Sequence, residues 1–283
     1  MIVSTVTSQR IRSAMSPLRL AALGFVAIII VVMAFAPWLA PSDPLAQDIA
    51  HKNQGLFSQG HLLGTDELGR DVLSRIMFGA RVELLIAFCA TALAAALGTF
   101  LGIVGGFFNG IAEIVTMRLV VDVVLAFPPI VLALLAVTVY GPGTTTLIVV
   151  MGVLFAPTFA RITYGQTLSV KREEYVEAAR AFGAKIPVTL FKVVLPNVSA
   201  PIIVQFSLTM AAAILLESGL SYLGLGVVPP APSWGAMVAQ GQRYIATEPT
   251  ALLVPSAALV LTILSFGILG DALRDYLDPK AKK

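Results

Sequence analysis

Charge is what this sequence has least of. Only 12% of its 283 residues are Asp, Glu, Lys or Arg, while 57% are hydrophobic, and an ordinary soluble domain carries roughly a quarter charged residues. A chain so poor in charge is built for lipid, and a soluble globular fold is a poor alternative. A single cysteine, Cys89, leaves no intrachain disulfide framework to consider. The two histidines, His51 and His61, stand ten residues apart near Asp43, Asp48 and Asp66, a spacing that matches no compact metal-ligand motif and reads as a solvated loop. No G-x-x-x-x-G-K-[ST] segment is present to cradle ATP phosphates, and no H-E-x-x-H or G-x-S-x-G segment to support hydrolysis. Ser221 and Ser265 have no histidine within any apolar stretch to activate them. The expected product is a non-catalytic membrane chain that binds no cofactor.

What is there is apolar length. Several uncharged stretches reach the ~20 residues a helix needs to cross hydrocarbon, and six spans are expected at about 18–39, 83–108, 113–139, 145–165, 198–217 and 251–270. The first is too long for a signal-peptide core and reads as a retained helix. The third and fourth are divided by Gly141-Pro142-Gly143. With the N-terminus inside, one side collects Arg10, Arg12, Arg19, Arg161, Lys171, Arg172, Arg180, Lys185, Lys192, Arg274, Lys280, Lys282 and Lys283. The other side has Lys52, Arg70, Arg75, Arg81 and Arg243. Basic residues concentrate on the cytoplasmic side of membrane proteins, so both termini are expected there. The resulting plan is a tail at 1–17, a first span, an external loop at 40–81, a five-helix core at 82–271 and a tail at 272–283. Within that core lie a cytoplasmic loop at 166–197 and an external re-entrant segment at 218–250.

The external loop ends in HLLGTDELGRDVLSRIMFGAR, where Leu68, Val72 and Ile76 recur at helical spacing. Thr65 or Asp66 offers a start and Gly79 a stop, which predicts a short amphipathic helix on the membrane surface or over the bundle. Ser218 to Gln242 carries no charge, yet is too rich in Gly and Pro to span; it is expected to fold back over the external mouth, where irregular backbone is tolerated. Gly98, Gly102 and Gly106 form a small-residue face for close helix packing. Arg118 and Asp122, four residues apart in the third span, form either a structural ion pair or part of a pathway or gate. Glu217, at the external end of the fifth span, either faces water at the interface or lines the external vestibule or anchors the returning loop.

The segment 172–197, REEYVEAARAFGAKIPVTLFKVVLPN, predicts a helix over about 172–182, a stop at Gly183 and a second start at Ile186-Pro187. Its Glu177-Ala178-Ala179, Gly183 and Leu195-Pro196 resemble the hallmark loop of ABC importer permeases, with Val193 at the usual Ile position. Residues 62–81, 215–238 and 270–280 are similar to the C-type permeases of dipeptide, oligopeptide and nickel importers (DppC/OppC-like). The resemblance implies an all-α membrane protein of six transmembrane helices, of the ABC importer permease (MetI-like) type, in a bacterial inner membrane. It implies a second permease, two ABC ATPases that bind ATP and Mg, and an external substrate-binding protein as partners, and no nucleic acid. The implied cargo is a peptide, with nickel or another small solute as the alternative. A secondary ion-coupled transporter is the rival class, but no internal repeat is evident.

Overall fold

The computed structural model describes residues 16–58, 60–108 and 110–277. The N-terminal tail and the last residues of the C-terminal tail lie outside them. Among the described residues five helices are long and apolar enough to cross a membrane, and a sixth crossing is made if one bent pair counts as a single span.

The first helix, α1 (Pro17–Leu39), starts where a sequence reader would start it. Ser16 accepts a hydrogen bond from the Arg19 amide, and Pro17 fills the first position, where a missing N–H is harmless. Only Ala22, Val26, Ile29 and Ala36 are buried, so α1 lies against the bundle with most of its apolar surface facing outward.

The second helix, α2 (Val72–Phe107), departs from the sequence expectation. No separate amphipathic helix precedes it. Asp71 caps it, accepting from the Ser74 amide at 2.7 Å, and the helix runs through Gly79 without a break. The residues expected to start a surface helix are used elsewhere: Thr65 bonds to Gln54 and His51, and Asp66 receives Arg70 Nε at 2.7 Å and lies 3.2 Å from Arg75 Nε. Residues 40–71 therefore form a knitted loop. Gly69 sits at φ 74° with its α-carbon so close to the Asp48 carbonyl that a β-carbon would fall 1.7 Å from that oxygen.

Gly79 does not stop α2 because its role is contact. A β-carbon there would lie 2.9 Å from Trp234 Cδ1. The Trp234 side chain is fully buried and its indole N–H donates to the Ile76 carbonyl at 3.0 Å. Trp234→Phe removes that donor while the Ile76 carbonyl keeps its bond within the helix, so the mutant is expected to lose about 0.5–1.5 kcal/mol, read as a lower melting temperature in detergent.

The expected third span is bent. Helix α3 (Ile111–Leu125) and helix α4 (Pro129–Tyr140) meet at 87°. Phe127 precedes Pro128-Pro129, which disfavours helical dihedrals before the prolines. Within α3, Ile114–Val121 is wound as a π-helix. Gly141 and Gly143, both at positive φ, turn the chain into α5 (Thr144–Val170).

A short helix, α6 (Glu174–Ala181), leads to α7 (Ile186–Tyr222), whose stretch Thr189–Val194 is again π-wound. The chain then leaves helix, returns as α8 (Trp234–Gln242) and ends with α9 (Thr250–Leu277). The core is shared by Ile86, Ala87 and Ala90 of α2, Leu147 and Met151 of α5, Ile214 of α7 and Trp234 of α8. The most extensive helix pair is α2 with α5. There Gly98, Gly102 and Gly106 lie against the backbone of α5: β-carbons would fall 2.2 Å from the Ala156 carbonyl, 2.5 Å from the Ala160 carbonyl and 2.7 Å from Thr167 Cβ. Such proximity maximises dispersion contact where lipid supplies no hydrophobic drive between helices.

Candidate functional site

At one end of the bundle α6 projects on a single apolar anchor. Val176 is fully buried among Val170, Val194 and Val198, with Phe107 and Leu190 packed around them. Glu174 and Glu177 occupy the first turn and Arg180 the last, the arrangement that suits the helix dipole. Arg180 also stacks its guanidinium 4.7 Å from the centre of the Phe107 ring. Gly183, at φ 80°, ends the helix, and the Ala184 amide closes back on the Ala179 carbonyl at 3.0 Å. Lys171 donates to the Gly106 carbonyl at 2.7 Å, tying the start of this loop to the end of α2. Partial burial, then the neighbouring Arg172, draws the Lys171 ammonium below its ordinary pKa, while burial, then Glu173, pushes the Tyr175 phenol above its own.

The outward face of this loop is open. Glu177, Ala178 and Gly183 are exposed and Ala179 is half-buried. Phe182 is 91% exposed, and Tyr175 and Ile186 are also exposed beside it. A large apolar side chain presented this fully by an anchored helix marks a contact surface. Leu195 and Pro196 sit where the π-wound turn of α7 gives way to regular winding, so the proline lacks an N–H where the ladder is already changing register.

Arg118 and Asp122 do not pair. Spacing alone does not make the pair, because α5 brings a second arginine to the same carboxylate. Asp122 instead accepts from Arg161 Nη2 of α5 at 2.9 Å, and both side chains are about half exposed. Arg118 is exposed.

At the opposite end of the bundle the returning segment, residues 223–233, packs over α2 and α7. Glu217 lies under it, fully buried, accepting from Ser221 Oγ at 2.6 Å and from Ser233 Oγ at 3.4 Å. Sequence reasoning passed over its neighbour. Glu83 is also fully buried and accepts from the Oγ of Ser218, the residue that follows Glu217 in α7. The available signal was a lone acid inside the apolar run from Val82 to Phe108.

His51 pairs with Asp48 at 2.7 Å and His61 with Asp71 at 2.9 Å. The two histidines serve different carboxylates. His51, first by hydrogen bonding, holds the Asp48 carboxyl below its usual pKa. Among the described residues no group of three or more His, Cys, Asp or Glu is placed to hold a metal ion.

Residues 70–283 match the family described as the binding-protein-dependent transport system inner membrane component. The chain belongs to that family. Residues 14–55 match the N-terminal transmembrane domain of oligopeptide transport permease C. Among its relatives is a glutathione transport system permease protein of Pectobacterium atrosepticum, 39% identical over 259 residues, covering 91% of this chain and 85% of that protein. Another is a di/tripeptide transport system permease protein of Pseudomonas aeruginosa, 39% identical over 263 residues, covering 91% and 86%. In fold, the chain resembles a chain of the MetNI methionine ABC transporter in inward facing conformations, with TM-score 0.59, 19% identity and coverage of 72% of this chain and 96% of that one. It also resembles a chain of an amino acid ABC transporter crystallised with histidines, with TM-score 0.54, 16% identity and coverage of 70% and 92%. This binding-protein-dependent permease is a multi-pass helical membrane protein.

Proposed function

We propose that this chain is one of two permease subunits that together enclose a path for small peptides across a bacterial inner membrane. The α3–α4 pair is one bent span, giving six, with both termini in the cytoplasm. Two ATPase subunits dock on the α6 end and hold the ATP and Mg; a substrate-binding protein delivers cargo at the α8 end. The permease catalyses nothing itself. ATP-driven closure of the ATPases pulls on α6, and Val176 passes the displacement to α5 and α7. The single observation that carries this reading is the exposed loop around Glu177, Ala178, Ala179 and Phe182, anchored to the bundle by one buried valine. Two relatives with 39% identity are named for glutathione and for di- and tripeptides, which supports a di- or tripeptide cargo over nickel or another small solute.

The test is uptake into proteoliposomes that contain the permease pair and ATPases, with ATP on the ATPase side and the binding protein opposite. Labelled dipeptide or glutathione should accumulate only with hydrolysable ATP, and a protonophore should leave it unchanged. Accumulation that survives without ATP and collapses with the protonophore would make the chain an ion-coupled carrier instead.

A further inference from the structure

Two acids meet inside the α8 end of the bundle, on helices far apart in sequence. Glu83 of α2 and Glu217 of α7 are both 0% exposed. Their surroundings supply donors, but to one side of each carboxyl only. Ser218 Oγ donates to Glu83 Oε1, and Ser221 and Ser233 donate to Glu217 Oε1 at 2.6 and 3.4 Å. The second oxygens, Glu83 Oε2 and Glu217 Oε2, are buried with no hydrogen-bond partner. No Lys, Arg or His forms an ion pair with either acid among the described residues, and Glu217 is the charged group whose field acts on Glu83.

An ionised carboxylate only accepts hydrogen bonds. Two of them side by side, away from water and without a cation, repel strongly and lose their hydration as well. A single proton removes both difficulties, because it neutralises one acid and turns it into a hydrogen-bond donor. We propose that Glu83 and Glu217 form a proton-binding site in which one proton is shared between the two carboxyl groups. The proton is taken from water at the α8 end and no other reactant is involved. The bridge joins α2 to α7, and through Ser233 to the returning segment next to Trp234, so it fastens the cap of this end to the bundle. Parting α2 from α7 breaks the bridge.

The site is tested on the intact permease complex, purified in a maltoside detergent that has no carbonyl group of its own. Infrared difference spectra at neutral pH should show a protonated-carboxyl C=O band in the wild type that shifts in D2O. That band should be lost in Glu83→Gln and, independently, in Glu217→Gln, so that failure of one variant to fold leaves the other to report. Glu83→Gln, whose amide can donate to Glu217, should melt near the wild type, whereas Glu83→Ala should melt lower. Wild-type and Gln-variant spectra that match would overturn the shared proton. So would a band that appears only when sodium and calcium are withdrawn, since the oxygens would then be holding a metal cation. Neither readout depends on the cargo or on transport.

Discussion

Replacing Gly98 with leucine should leave almost no folded permease. Even the β-carbon alone would stand 2.2 Å from the Ala156 carbonyl oxygen and 2.6 Å from Phe159 Cβ, with the Ala160 amide nitrogen at 2.9 Å. Two of those three neighbours are backbone, which no rotamer change can move, so α2 and α5 must separate along the seam that Gly102 and Gly106 continue. Overpacking a close contact costs about 1–3 kcal/mol and more where the backbone must shift, against a total stability on the order of 5–15 kcal/mol. Gly165→Ala is the control. That glycine is in the partner helix α5, but nothing lies within 4 Å of its added β-carbon, so the mutant should melt at or above the wild-type temperature. Melting of detergent-purified protein, followed by loss of monodispersity, separates the two outcomes.

The second large effect concerns transport rather than folding. Phe182→Ala should reduce ATP-driven uptake at least tenfold while the protein reaches the membrane in normal amount. The side chain is 91% exposed among the described residues, so truncation leaves the bundle intact. A buried aromatic at the centre of an interface commonly carries 2 kcal/mol or more, which is about thirtyfold in affinity. Val176→Ala should behave differently. It opens a void among Val170, Val194 and Val198, so it should lower the melting temperature as well as uptake. Equal effects of the two substitutions on melting would show that α6 is merely a packed connector.

Much of this architecture is written in apolar length, because a helix is the simplest way to satisfy every backbone group in hydrocarbon. Gly141-Pro142-Gly143 divides two helices for a local reason, positive φ at both glycines. Other features depend on partners that local patterns do not contain. Gly79 has the form of a helix stop, but Trp234, brought from the other half of the chain, makes it a contact point inside α2. Arg118 and Asp122 have the spacing of an ion pair, but Arg161, brought up by α5, takes the aspartate. Glu217 is conspicuous in the sequence, whereas its counterpart Glu83 becomes meaningful only when α2 and α7 lie side by side. The loop around Glu177 is legible as a helix with a glycine stop. Its contacting face was not, since Phe182 becomes the most prominent side chain only after Val176 is seen to be buried.

On the proposed function, the α6 loop lies in the cytoplasm against an ATPase. Cys89 is the chain's single cysteine, so Phe182→Cys in a Cys89→Ser background gives one reporter thiol. A short bifunctional thiol crosslinker applied to the assembled complex should join that cysteine to an ATPase subunit, and an impermeant maleimide should label it only from the cytoplasmic side. Labelling from outside, or crosslinking to the binding protein and not to an ATPase, would contradict the account.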